Sequence, residues 1–156
     1  MAATYKIRPG MPEDWSAILP LLEGVEGQEL GQNDAARRRF DHIVQSHDHS
    51  LPVAIAGDRL VAYGWVRDYG PHLRSGARTA RLHDVFVDPD HRRRGIGAAL
   101  LMAIKTWAGD KGVRYLEWQA SLSAVPFYER LGYTGDPCPQ PSYPFFEIEF
   151  PIDDKG

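Results

Sequence analysis

One cysteine, Cys138, stands in 156 residues, which excludes an internal disulfide and any zinc site built on several cysteines. No apolar run approaches the ~20 residues that span a bilayer. The opening Met1-Ala2-Ala3-Thr4-Tyr5-Lys6 lacks the apolar core of a secretory leader, so a cytoplasmic protein without a membrane partner is expected. No charge dominates either: 18 Lys and Arg against 21 Asp and Glu leave a formal net charge of -3, which argues against a nucleic-acid surface covering a whole face. Internal repeats and linkers are absent. What remains, 43% hydrophobic and 25% charged residues, is the composition of a globular chain long enough to bury a core, and one domain over residues 1–156 is expected.

Hydropathy patterning supplies the elements. Tyr5 to Arg8 reads as a short strand, closed by Pro9-Gly10. Pro12-Glu13-Asp14 suits a first helical turn, and Trp15, Ile18, Leu19 and Leu22 then form one apolar stripe, with Pro20 expected to kink the helix. Gly24 and Gly27 should open a loop before a second helix over about residues 35–45. On that helix Arg37-Arg38-Arg39 reads as a solvated face rather than a nucleic-acid contact. His47-Asp48-His49 has no further ligand nearby in sequence and reads as a polar loop rather than a metal corner. Two strands, 52–56 and 60–66, flank Gly57-Asp58, a pair suited to a type II′-like hairpin turn. Residues 68–78 should break the pattern and a third strand should run from about Thr79 to Val87. A helix from Ala98 to Gly109, a parallel strand from Val113 to Trp118 and a short helix from Ser123 to Leu131 follow. Tyr133-Thr134-Gly135 suits a brief strand, and Tyr143 to Phe150 a closing one.

The densest signal lies between the third strand and the long helix. Asp88-Pro89-Asp90-His91-Arg92-Arg93-Arg94-Gly95-Ile96-Gly97-Ala98 places arginines and glycines just before a helix N-terminus, where unpaired N–H groups and the dipole favour an anion, most plausibly a phosphate. A P-loop fails, because Gly97 is followed by Ala98-Ala99 where lysine and a hydroxyl are needed. A dinucleotide fingerprint matches Gly95 and Gly97 but finds Leu100 at the third glycine. The pattern Arg-x-x-Gly-x-Gly is met in full by Arg92 to Gly97.

With that turn, and with Ser123-Ala124-Val125-Pro126-Phe127-Tyr128-Glu129-Arg130-Leu131-Gly132-Tyr133 downstream, the chain resembles the GNAT superfamily of acyl-CoA-dependent N-acetyltransferases. The resemblance implies an α/β fold (α+β in some schemes): a mixed, mostly antiparallel sheet of six or seven strands, helices on both faces, and a V-shaped opening between the strands ending at Val87 and near Trp118. It implies acetyl-CoA as co-substrate and no metal. The diphosphate would lie on the backbone of Arg92, Arg93, Arg94, Gly95, Ile96, Gly97 and Ala98. The acetyl and pantetheine path would follow Val85, Phe86 and Val87. Ser121 stands where the family commonly has asparagine, which implies a weaker or water-mediated contact to the pantetheine arm or the helix start. Tyr128 would protonate the leaving thiolate. A homodimer through C-terminal strands is a common family arrangement.

An aliphatic amine, with a pKa near ~10.4, arrives protonated and must lose a proton before it attacks. In Leu82-His83-Asp84-Val85-Phe86-Val87, His83 stands where many members carry a glutamate, and an imidazole near ~6.5 suits the task. Asp84 is the second choice, since neighbours on a regular strand face opposite ways unless a bulge intervenes. The expected function is acetyl transfer to a primary amine, a small molecule in preference to a protein N-terminus or lysine, with Asp68, Tyr69, Asp136 and Tyr143 available to hold a small cation. A catalytically silent acyl-CoA sensor and a nucleotide-dependent oxidoreductase are the alternatives.

Overall fold

The computed structural model describes residues 4–26, 29–31, 33–135 and 146–151. The chain divides into two compact units, Met1–Gln119 and Ala120–Gly156.

In the first unit the order is β1 (Lys6–Pro9), a 3-10 turn at Pro12–Asp14, α1 (Trp15–Glu26), α2 (Asp34–Gln45), β2 (His49–Ser50), β3 (Pro52–Ala56), β4 (Arg59–Pro71), β5 (Arg78–Val87), a 3-10 turn at Pro89–His91, α3 (Ile96–Asp110) and β6 (Val113–Glu117). The strands form a six-stranded sheet in the order β1-β3-β4-β5-β6, with β2 paired to β4. Every pairing is antiparallel except β5 with β6. That excludes the doubly wound parallel sheet of dinucleotide-binding folds.

Alternation along β4 and β5 sorts the core into two layers. Tyr63, Trp65 and Phe86 pack with Trp15, Ile18 and Leu21 of α1 and Phe40 of α2. Ala62, Val85 and Val87 pack with Ile96 and Leu100 of α3. Helices thus cover both faces. In α1 the buried stripe is Trp15, Ile18 and Leu21, with Leu19 and Leu22 only partly covered. The helix runs through Pro20 and Gly24 to Glu26, so the expected loop at Gly24 is displaced, packing having overridden the glycine's weak propensity. α2 starts on Asn33, whose side chain accepts from the Ala36 N–H. Gly57 takes φ +63 in the β3–β4 turn, as a II′ turn requires at its first central position.

Three expected boundaries differ. β4 continues through residues 68–71, because Gly70, at φ +78, makes an irregularity inside the strand rather than ending it. His49–Ser50 is a strand, not loop. Residues 133–135 and 146–150 form no strand, and the rest of the expected closing strand lies outside the described residues, as does Asp136. Among the described residues no helix is long and apolar enough to cross a membrane.

In the second unit α4 (Val125–Arg130) is short. Its first N–H groups return to Ser121: the Ser121 carbonyl accepts from Ala124 at 2.9 Å and Val125 at 3.1 Å. At the other end Gly132 has φ +90. Its N–H donates to Glu129 O at 3.0 Å and the Tyr133 N–H to Tyr128 O at 3.1 Å, the paired bonds of a Schellman stop. The Gly132-Tyr133 pair is therefore a helix terminator with a physical reason for its glycine.

Candidate active site

Between β5 and α3 the chain turns sharply. Asp88 caps the 3-10 turn by accepting from the Asp90 N–H at 3.2 Å, and its carboxylate also meets His91 Nδ1 at 3.3 Å. Arg93 then adopts φ +62 and Gly95 φ +81. A left-handed residue without a glycine's freedom costs ~1–2 kcal/mol, and alternation of this kind folds successive N–H groups toward one point. Among the described residues, none of the backbone N–H groups from Arg93 to Ala98 has a hydrogen-bond partner. The α3 dipole adds positive potential there.

The three arginine side chains are exposed, but two are tied down. Arg92 Nε donates to the Val87 carbonyl at 3.0 Å, with its guanidinium 5.6 Å from the Phe86 ring centre. Arg94 donates to the Asp90 carbonyl at 3.2 Å. The turn is thus braced by Arg92 and Arg94 while its main-chain donors stay open.

β5 and β6 separate at the site. Their parallel register runs from Arg78 and Val113 to Arg81 and Glu117 and stops. β5 continues to Val87, so among the described residues the β6-side edge from Leu82 to Val87 carries no strand partner. This is the expected opening.

On the other edge of β5 the register with β4 slips: Trp65 faces Asp84 while Val66 faces Leu82. His83 is the extra residue, a β-bulge. Consequently His83 and Asp84 share the α1 and α2 face. The His83 ring stacks on Trp65 at 4.4 Å, its Nε2 lies 3.3 Å from the Tyr69 hydroxyl, and Asp84 accepts a hydrogen bond from the Tyr63 hydroxyl. Burial first, then the charges of Arg81 and Arg67, hold His83 below the ordinary imidazole value, against a smaller opposing pull from Asp84. The ring is neutral at neutral pH and able to accept a proton. Next along the face, His49 Nδ1 accepts from Trp65 Nε1 at 3.0 Å, which gives that histidine a packing role.

Asp68 corrects the expected acceptor lining. It is 3% exposed, faces α3, and its carboxylate meets Arg78 at 2.7 Å and Lys111 at 3.7 Å. A carboxylate so engaged binds no substrate cation. Tyr69, 52% exposed, does lie on the His83 face. Tyr63, Trp65 and Arg67 escaped the motif search, yet with Tyr69 they stand at the period of two that puts strand residues on one face. A groove of about 470 Å³ opens beside Phe86, lined by Leu21, Gly24, Leu60 and Asp88. It lies at the Val87 end of β5, and the Arg59–Asp88 pair at 3.5 Å occupies its polar side.

In the second unit, Ser121 Oγ lies 3.1 Å from Ser123 Oγ. Tyr128 sits on α4 with its ring 5.0 Å from that of Phe127 in an edge contact.

Known proteins are similar to this chain in sequence and in fold. The chain is 42% identical over 142 residues to an uncharacterized N-acetyltransferase of Methanocaldococcus jannaschii, covering 83% of this chain and 61% of that protein. It thus spans less than two thirds of that relative's length. It is 37% identical over 114 residues to glucosamine 6-phosphate N-acetyltransferase of Trypanosoma brucei brucei, covering 73% of this chain and 72% of the relative. Among solved structures, an aminoglycoside N-acetyltransferase in complex with CoA superposes with a TM-score of 0.76 at 17% identity, over 96% of this chain and 98% of that one. With residues 15–133 matching the model of the acetyltransferase (GNAT) family, on top of the open turn and the splayed strands, this chain belongs to that family.

Proposed function

We propose that this protein is an acetyl-CoA-dependent N-acetyltransferase acting on the primary amine of a small molecule. The observation that carries the reading is the bulge at His83: it sets a neutral imidazole on the open sheet face, beside the point where β5 parts from β6. The family match spans both compact units, which supports one catalytic domain over the chain. The residues fit the co-substrate, since the six N–H groups from Arg93 to Ala98, without a partner among the described residues, suit a diphosphate.

In this reading His83 takes a proton from the ammonium group, directly or through one water, and the amine nitrogen attacks the thioester carbonyl carbon. Backbone N–H groups on the free edge between Val85 and Val87 receive the developing oxyanion. The carbon–sulfur bond breaks and Tyr128 gives its proton to the departing thiolate; the nitrogen's second proton, lost as the intermediate collapses, returns to the Tyr128 phenolate, His83 gives its proton to water, and an N-acetylated amine and CoA leave. Asp84 is a positioning residue, held by Tyr63. Ser121 contributes near the pantetheine arm. Amino sugars are favoured as acceptors, because the trypanosomal relative is named for glucosamine 6-phosphate and the solved neighbour for aminoglycosides.

The test is release of free thiol from acetyl-CoA over an amine panel. Amine-dependent release that falls ~10²–10⁴-fold in His83→Gln is expected for a general base. Stabilisation by acetyl-CoA without release from any amine points instead to a sensor, and no stabilisation at all defeats the whole reading.

A further inference from the structure

Arg67 and Arg81 are direct register partners across β4 and β5, so their side chains leave the sheet from adjacent points on the face that carries His83. Like charges directly opposite on an antiparallel pair repel. Neither has an ion-pair partner among the described residues, whereas Arg8, Arg59 and Arg78 each meet a carboxylate. Arg67 lies over the Tyr69 ring at 4.9 Å and Arg81 donates to the Gln119 side chain at 2.9 Å. Glu117, beside Arg81 in the β6 register, forms no ion pair with it. His42 and His49 lie on the same face, with His49 stacked on Trp65 at 6.1 Å and meeting His42 edge-on at 6.1 Å. Two of the nearby carboxylates are engaged elsewhere: Asp84 by Tyr63, and Asp68 on the opposite face by Arg78 and Lys111.

We infer that the acceptor amine carries an anionic group, a phosphate or a carboxylate, which Arg67 and Arg81 hold on the sheet face beside His83. This rests on the reading of that face as the acceptor site, and narrows it. Guanidinium forks match both anions with paired hydrogen bonds. The arginine pair lies two residues from His83 along β5, ~7 Å at strand rise, so the anion sits a sugar ring's width from the reacting nitrogen. Polyamines, which need carboxylates, are selected against.

The experiment compares kcat/KM by thiol release for two matched pairs: glucosamine 6-phosphate against glucosamine, and an amino acid against its amide. The first pair reports a phosphate and the second a carboxylate. The wild-type protein should prefer the anionic member of one pair by about tenfold or more. Arg67→Gln and Arg81→Gln should each reduce that ratio by about tenfold, chiefly through KM, and Arg81→Lys should restore part of it. The ratio cancels any effect that loss of an arginine has on His83 itself, since both members of a pair need the same base. Equal or inverted preference in both pairs overturns the inference while leaving acetyl transfer standing, as does a preference that neither substitution alters. Absence of release from all four amines overturns the acetyltransferase reading, and the inference with it.

Discussion

In the proposed mechanism His83 carries the pH dependence. Its imidazole must be neutral to accept a proton, and burial together with Arg81 and Arg67 lowers its pKa. Activity should therefore persist below the ordinary imidazole value and fall only as pH drops through the lowered one. Arg81→Gln removes a like charge, so the acid limb of the kcat/KM profile should move to higher pH. His83→Gln should abolish that limb. An unchanged limb in His83→Gln removes the histidine as the base. Asp14 is a second titrating residue, with a structural task. Arg8 grips its carboxylate with both guanidinium nitrogens at 2.8 Å, and the Met11 N–H donates to it at 2.8 Å. The Arg8 hydrogen bond is the main reason its pKa is lowered; burial opposes it, and the Met11 bond adds to the lowering. A depressed carboxylate stabilises the fold above its unfolded value and loses that contribution as pH falls through the folded one. Asp14→Asn should cost ~1–3 kcal/mol at neutral pH. In urea unfolding the gap to wild type should begin to close as pH falls below the ordinary carboxylate value and should be gone only below the lowered value of the folded state.

At the scale of the element, the β4–β5 pair sets the orientation on which the proposed chemistry depends, because one extra residue on β5 turns His83 onto the face of Asp84. Gly64, opposite Val85, is the close approach that lets this pair lie against α3. A Cβ there would stand 2.8 Å from Ile104 Cδ1, and Ile104 is fully buried. Gly64→Ala should cost ~1–3 kcal/mol by overpacking. In the Ile104→Val background, which deletes the offending methyl, the penalty should shrink, so a double-mutant cycle by chemical denaturation should give a favourable coupling. Additive costs would mean that the strain lies in the backbone. The sequence made this neighbourhood legible to different depths. Gly57 and the Arg92–Gly97 turn announced themselves, because turn and anion-loop chemistry are local. The bulge was invisible, since nothing in Leu82-His83-Asp84 sets its pairing with Trp65; register belongs to the sheet. Asp68 misled for a related reason. Next to Gly70-Pro71 it looked like loop, while Arg78 and Lys111, distant in sequence, make it a buried anchor.

At the scale of the whole molecule, binding and stability are one quantity. A ligand that binds the folded chain alone, supplied at about 100 times its Kd, stabilises it by ~2.7 kcal/mol, roughly 5–11 °C for a domain of this size. Acetyl-CoA should produce that shift and NAD should not, because the sheet is largely antiparallel and the turn lacks the third glycine of a dinucleotide site. Arg92 and Arg94 spend their guanidinium groups on carbonyls of their own chain, so main-chain N–H groups and the α3 dipole should bear most of the diphosphate. Gly95→Ala tests this. At φ +81 the new side chain costs ~1–2 kcal/mol in the free protein, and relaxation of that strain turns the donors away from their common focus. The variant should melt lower and lose most of its acetyl-CoA shift. Arg94→Gln should keep most of the shift. If instead Arg94→Gln abolishes the shift and Gly95→Ala preserves it, side-chain charge rather than the folded backbone holds the co-substrate.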